Sequence, residues 1–351
     1  MIFLLLTCSS EVQDATAYSS AAQLADAGHW KRARALIEPR FRTNPNDAAA
    51  AFILARVKMA SGDVDGTLSM AERLVSLDPK NADYHYLLAA ACGMKASRAG
   101  AFSQFSLARR FKKEAEEAIA LDPRHVDARF ALIEFHLQAP FVVGGDKKRV
   151  SELLDQISKI DASRGYLAQA TIARREKRTD QLETLYKKAA EANPRSYQVL
   201  MTLANFYAGD AQRKFDLAEK FAGEASKIDP GRTSAYSLLA NIAASQERWE
   251  RLDGVLEAAE KSVPDDLSPY YRAGNLLLQR MREFPRAERY FRKYLTQDPE
   301  PSAPSHALCY WRLGLVLEKL GRKGEAIGAL QKSLQLNPDL EGVKKDLRRI
   351  K

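Results

Sequence analysis

The chain has 351 residues, 46% of them hydrophobic, and its 54 Lys and Arg against 45 Asp and Glu give a formal net charge of +9. That apolar share excludes an intrinsically disordered chain, and no apolar run approaches the ~20 residues needed to cross a bilayer. The basic balance admits an acidic protein partner, nucleic acid or anionic lipid.

Residues 1–12 begin apolar, Met1-Ile-Phe-Leu-Leu-Leu, and turn polar at Cys8. The segment resembles the end of a bacterial lipoprotein signal, with Cys8 as the lipidated residue. Its apolar core is shorter than the ~7–15 residues such signals use, and no Lys or Arg precedes it. Two readings stand, an exported envelope protein whose start lies upstream and a cytoplasmic one with a chance apolar start; the cysteine tips the balance to the first.

From residue 13 onward small residues recur at near-constant spacing: Ala21, Ala55, Ala89, then after a gap Ala170, Ala204, Ala240, Gly274 and Gly314. Prolines keep step at Pro45, Pro79, Pro123, Pro194, Pro230, Pro264, Pro299 and Pro338. Unbroken rungs lie 34 to 44 residues apart, the sign of one supersecondary unit stacked many times. In the last unit, His306–Pro338, apolar residues fall three and four apart on both sides of Gly321, which predicts two amphipathic helices meeting there. Gly314 and Ala326 are the small positions that let those helices approach, and Asn337-Pro338 stops the second.

The first unit has the same parts in Ala21, Leu24, Gly28, Trp30, Ala33, Ile37 and Asn44-Pro45, and Leu77-Asp78-Pro79, Leu121-Asp122-Pro123 and Ile228-Asp229-Pro230 repeat the ending. These residues resemble the tetratricopeptide (TPR) repeat. The resemblance covers residues 15–338 and implies an all-α, right-handed superhelical solenoid of about nine helical hairpins. The solenoid is assigned to 13–338, and the amphipathic basic tail 339–351 to a capping helix. Two units depart from the pattern. In the third, the extra residues Lys95–Arg110 are expected to lengthen both helices; they carry the basic run Arg109-Arg110-Phe111-Lys112-Lys113. In the fourth, Ile133 replaces the small residue and Pro140–Asp146 is inserted near 139–147, a segment that resembles a group of bacterial TPR proteins of unassigned activity.

No catalytic constellation emerges, so the chain is not expected to be an enzyme, to bind a metal or to need a cofactor. The five histidines, His29, His85, His125, His136 and His306, show no metal-ligand spacing. Gly144-Gly145 is not followed by Gly-Lys-Ser/Thr, and Gly-x-Ser-x-Gly is absent. Cys92 and Cys309 fall on apolar helix faces and read as buried free thiols.

The resemblance implies that the first helix of each unit lines a concave groove. The position after each small residue reads Thr171, Asn205, Asn241, Asn275, Leu315. A ladder of amides offers donor and acceptor to an extended peptide backbone. One turn earlier stand Met201, Tyr271 and Trp311, candidate apolar anchors, and one turn later Arg175. Tyr271 and Trp311 read equally as packing between units. The expected function is a protein-binding scaffold, holding a segment of another protein in its concave face and touching membrane only through an N-terminal anchor. Two alternatives remain. One is a basic surface for nucleic acid or anionic lipid, which Glu114, Glu116, Glu117, Glu283 and Glu288, interleaved with the basic clusters, dilute; the other is a passive subunit of a larger complex. The apolar loop Phe141-Val142-Val143 is a second candidate site, or else a cover folded over the fourth and fifth units.

Overall fold

The computed structural model describes residues 17–351; Cys8 and the 1–12 segment lie outside them. Among the described residues there is no strand. The chain divides into two compact units, one ending at Pro194 and the other running Arg195–Lys351. The first holds α1 (residues 17–27), α2 (Trp30–Thr43), α3 (Ala48–Ala60), α4 (Val64–Leu77), α5 (Ala82–Ala96), α6 (Ala101–Leu121), α7 (Val126–Gln138), α8 (Lys147–Ile160), α9 (Ala162–Arg175) and α10 (Leu182–Ala192). The second holds α11 (Tyr197–Ala208), α12 (Phe215–Ile228), α13 (Thr233–Ser245), α14 (Trp249–Ser262), α15 (Ser268–Gln279), α16 (Phe284–Tyr294), α17 (His306–Lys319), α18 (Lys323–Leu336) and α19 (Glu341–Ile350). Successive helices pair into hairpins, each with a helix A and a helix B, and α19 follows the last pair.

Helices A and B differ because their apolar residues are arranged differently. Helix A of the seventh hairpin, α13, buries Ala235, Tyr236, Leu238, Leu239, Ala240, Ile242, Ala243 and Ala244, so it is covered nearly all round. Its partner α14 buries one stripe, Leu252, Val255, Leu256 and Ala259. A helix apolar on most faces must sit between neighbours, whereas an amphipathic one can face water.

Every small rung is buried: Ala21, Ala55, Ala89, Ala170, Ala204 and Ala240 are at most 1% exposed. The two glycine rungs show why. A methyl group on Gly314 would stand 2.9 Å from the Leu330 side chain, and one on Gly274 would stand 3.1 Å from the Phe291 ring. In both places helix A meets helix B of its own hairpin. Gly165 on α9 does the same against α8, where a Cβ would come within 2.8 Å of the Ser158 Cα.

The turns explain the periodic Asn/Asp-Pro pairs. At five of the helix B ends the Asx side chain accepts the N–H of the residue after proline, as from Asn46 to Asn44 at 3.1 Å, Arg124 to Asp122 at 2.8 Å and Asp339 to Asn337 at 3.0 Å. Proline fixes φ for the turn, and the next helix begins on a capping side chain, as at Asp47, Asn81 and Ser196. Between helices A and B a left-handed residue closes helix A. It is glycine at Gly28, Gly62 and Gly321, but Lys177, Glu247 and Met281 take the same place at φ +61°, +57° and +56°. An L-residue pays roughly 1–2 kcal/mol there.

The irregular hairpins differ from expectation. In the third, α5 takes in Lys95 and Ala96 to reach 15 residues, and most of the extension falls on helix B, α6 having 21 residues where the other B helices have 11 to 14. A turn at Ser97–Gly100 separates them, so the extra residues are shared unequally between the two helices. In the fourth, Phe141–Val143 forms a single 3-10 turn closed by Gly144 at φ +98°. It lies against α6 of the third hairpin rather than over the fourth and fifth.

Candidate functional site

The positions after the buried rungs stay at least partly open: Thr171, Asn241, Asn275 and Leu315 are half-buried, and Asn205 is exposed. In the second unit, Asn241 and Asn275 line one cleft of about 500 Å³ with Tyr271, Arg272, Leu276 and Gln279. The cleft is closed on one side by Ser302–Pro304, in the connection before α17. Oδ1 of Asn241 is buried and accepts no hydrogen bond from the described residues. Asn205 lies outside this cleft, and its Nδ2 donates to the Met201 carbonyl of its own helix at 2.7 Å.

The expected anchors are more enclosed than the amides. Met201 and Tyr271 are 7% and 8% exposed, and the Tyr271 ring packs against Phe291 and Tyr294 with centroids 5.6 and 5.3 Å away. Trp311 packs on the C-terminal helix: its Nε1 donates to Asp346 at 2.8 Å, and it borders a core of Leu330, Val343 and Ile350. Thr171 and Arg175 belong to the first unit. Arg175 pairs with Glu134 at 3.3 Å and lines a smaller cleft of about 370 Å³ between α7, α8 and α9.

The first unit carries a different cavity, of about 580 Å³, between α5, α6, α7 and the inserted loop. Phe105, Ala108, Phe111, Phe135 and Val143 line it. Gly145 lets the loop turn back on itself, because a Cβ there would stand 1.9 Å from the Ala139 carbonyl oxygen. His136 ties the loop down, its Nδ1 accepting the Asp146 N–H at 3.0 Å. Burial, then the Lys112 charge beside it, hold this imidazole below its usual range. The closed loop therefore favours the neutral ring. Its stabilisation is complete above the ordinary imidazole value of about 6.5 and is lost as pH falls through the lower folded value. Amide exchange across Phe141–Asp146, corrected for intrinsic rate, is expected to be faster at about pH 5 than at about pH 7.5, and His136→Asn should flatten that difference. A pH-independent loop in the native chain would refute this role.

His85 and Glu114 form a buried pair at 2.7 Å, and Nδ1 of His125 caps α7 by accepting the Ala128 N–H. Burial pushes the Cys92 thiol up to about 11 and raises that of Cys309 as well. Among the described residues no three His, Cys, Asp or Glu side chains gather to hold a metal. The basic cluster Arg280–Lys293 is largely taken up by ion pairs: Arg286 and Arg289 with Asp253, Arg282 with Glu247, Lys293 with Glu260 and Arg292 with Glu288. Several of these join one repeat to the next.

Two family models, each described as tetratricopeptide repeat, match residues 24–91 and 271–341. These two stretches are tetratricopeptide repeats. Helix pairs of the same kind, with the same buried small rungs, recur in both units, and among the described residues the fold is all-α. No match was found among curated proteins. Solved structures similar to the chain include yeast Tom70 (11% identity, 97% of this chain and 88% of that one, TM-score 0.47). A structure on Pseudomonas aeruginosa PilF is 17% identical, over 64% of this chain and 98% of that one, with a TM-score of 0.41. YrrB, described as a TPR protein with an unusual peptide-binding site, is 16% identical over 56% of this chain and 97% of that one, with a TM-score of 0.36. These likenesses are too distant to bear on function.

Proposed function

We propose that the chain is a non-enzymatic scaffold whose second unit holds an extended segment of another protein in the cleft lined by Asn241 and Asn275. The supporting observation is that, beside Arg272 and Gln279, amides from two successive repeats open on one cleft. Their donors and acceptors match a peptide backbone, and Arg272 and Gln279 add groups suited to its carbonyls or acidic side chains. Asn205, Met201, Thr171, Arg175 and Trp311 are secondary in this reading. Asn205 is tied to its own helix, Met201 is buried, Trp311 is covered by α19, and the other two lie in the first unit. The ion pairs that take up Arg280–Lys293 weigh against a nucleic-acid or lipid surface at that cluster, since paired charges attract a polyanion weakly.

The test is affinity capture from the native cell with the full chain and with its Asn205→Ala/Asn241→Ala/Asn275→Ala variant, read by mass spectrometry at moderate salt. A protein recovered by the wild type and lost from the variant supports the cleft. Equal recovery overturns it, and recovery of only nucleic acid or acidic lipid that washes off with salt transfers the function to the basic surface.

A further inference from the structure

The two places where the sequence breaks its own repeat meet in space. The extra turns of α6 and the Pro140–Asp146 loop sit in adjacent hairpins, more than thirty residues apart in sequence. Arg109 Nη2 donates to the Val142 carbonyl at 3.2 Å, and Lys112 Nζ to the Gly144 carbonyl at 3.1 Å. Together with α5 and α7 they enclose the cavity of about 580 Å³, which is larger and more apolar than the amide cleft. A regular TPR hairpin has neither part.

The same two segments carry the most exposed large apolar side chains among the described residues: Phe102 at 95%, Phe141 at 88% and Val142 at 65%. Exposed apolar surface beside an apolar cavity marks an interaction site, and isolated surface hydrophobics do not account for this grouping. Charge identifies the occupant. Arg109 and Lys112 spend their hydrogen bonds on loop carbonyls, and Lys112 lies 3.9 Å from its nearest carboxylate, Glu116. Lys148 follows the loop directly, is exposed, and has no ion pair among the described residues; Lys147 beside it lines the neighbouring cleft of about 370 Å³. The one acid in the lining, Glu134, is paired with Arg175. The rim is therefore net positive. A second copy of the chain would bring the same positive rim and be repelled. A flat bilayer would cover the Phe tips and leave the cavity between α6 and α7 unfilled.

We propose that this cavity docks a short amphipathic segment of a partner protein, with at least two large apolar side chains seated between Phe105, Phe111 and Phe135 and acidic residues set against Arg109 and Lys148. Apolar anchors in a pocket supply the affinity, and the charged rim selects the partner and speeds encounter. The site is independent of the amide cleft in the second unit.

The test pans a random library of roughly twelve-residue peptides on the full chain and counter-pans on Ala108→Glu, which narrows the cavity and adds an acid to its wall. Enrichment of sequences combining large apolar residues with Asp or Glu is expected. By fluorescence anisotropy, the selected peptides should bind the counter-panned variant at least about tenfold more weakly. Arg109→Glu/Lys148→Glu lies on exposed positions and keeps the test valid if Ala108→Glu unfolds; it should cost about tenfold for acidic peptides and reverse the charge preference. The triple asparagine variant should bind the selected peptides as the wild type does, so failure here and failure of the amide cleft are told apart. No enrichment, enrichment of basic sequences, or binding unchanged by both variants would overturn the proposal. So would sedimentation with phosphatidylglycerol vesicles that is lost in Phe102→Ser/Phe141→Ser while no peptide binds, because the patch would then be a membrane surface.

Discussion

Trp311→Ala is expected to release α19 while leaving the four hairpins of the second unit folded. A ten-residue helix does not hold together alone in water, so α19 exists only through what it packs on. Trp311 forms part of that surface, with Ile327, Leu330 and Leu334 of α18. Its ring fills the space above Gly342, where a Cβ would come within 2.5 Å of it, and its indole N–H bonds Asp346. Leu330, Val343 and Ile350 complete the core, and an ion pair between Arg349 and Glu318 adds little at the surface. Removing a half-buried tryptophan costs about 2–4 kcal/mol, below the range for a fully buried one and more than so short a helix can absorb. Trypsin should then cut at Lys344, Lys345 and Arg348, which the native chain protects, with mass spectrometry locating the sites. Gly342→Ala should produce a weaker form of the same release. Unchanged cleavage in Trp311→Ala would show that α19 is held by other contacts.

This tryptophan shows where sequence reasoning stops. Its position one turn before the rung Gly314 places it on the face expected to line a groove, alongside Met201 and Tyr271. What covers a helix face depends on the neighbour, and after the last repeat the neighbour is the tail. For Tyr271 both readings have support: it lines the amide cleft, and its ring packs against Phe291 and Tyr294 across the hairpin.

The fold was far more legible, because each of its signals repeats. A small residue needed where two helices cross recurs in nearly every unit, and so does an Asx-Pro pair that closes one helix and starts the next. Gly165 escaped notice because it serves the crossing of α8 with α9, between hairpins, and its spacing matches no rung. The cavity of the first unit was visible only as two separate irregularities. Their meeting rests on bonds from Arg109 and Lys112 to carbonyls more than thirty residues away, and backbone carbonyls carry no sequence signal. The division at Pro194 left no trace either, since the 34-residue step from Ala170 to Ala204 crosses it unbroken.

His85→Ala should be the most damaging single change in the first unit. His85 and Glu114 are both about 7% exposed and face each other at 2.7 Å, joining α5 to the elongated α6. The second ring nitrogen of His85 meets the Pro79 carbonyl at 3.1 Å, so the ring also fixes the Asx-Pro turn before α5. Alanine leaves a cavity and strands a buried carboxylate, for a loss of about 3–5 kcal/mol. Glu114→Gln keeps a hydrogen-bonding side chain of the same shape opposite the ring and should lose only about 1–2 kcal/mol. His85→Phe/Glu114→Leu should recover much of the loss by removing both polar groups together. Amide exchange in α5 and α6 is the appropriate readout, because a repeat array opens in parts and a single melting curve mixes them. The same variants should also widen the apolar cavity of the first unit, since α6 forms one of its walls. A loss under about 1 kcal/mol in His85→Ala would mean that Glu114 finds water or another partner as the helices part, and that the pair is not what fixes α6 against α5.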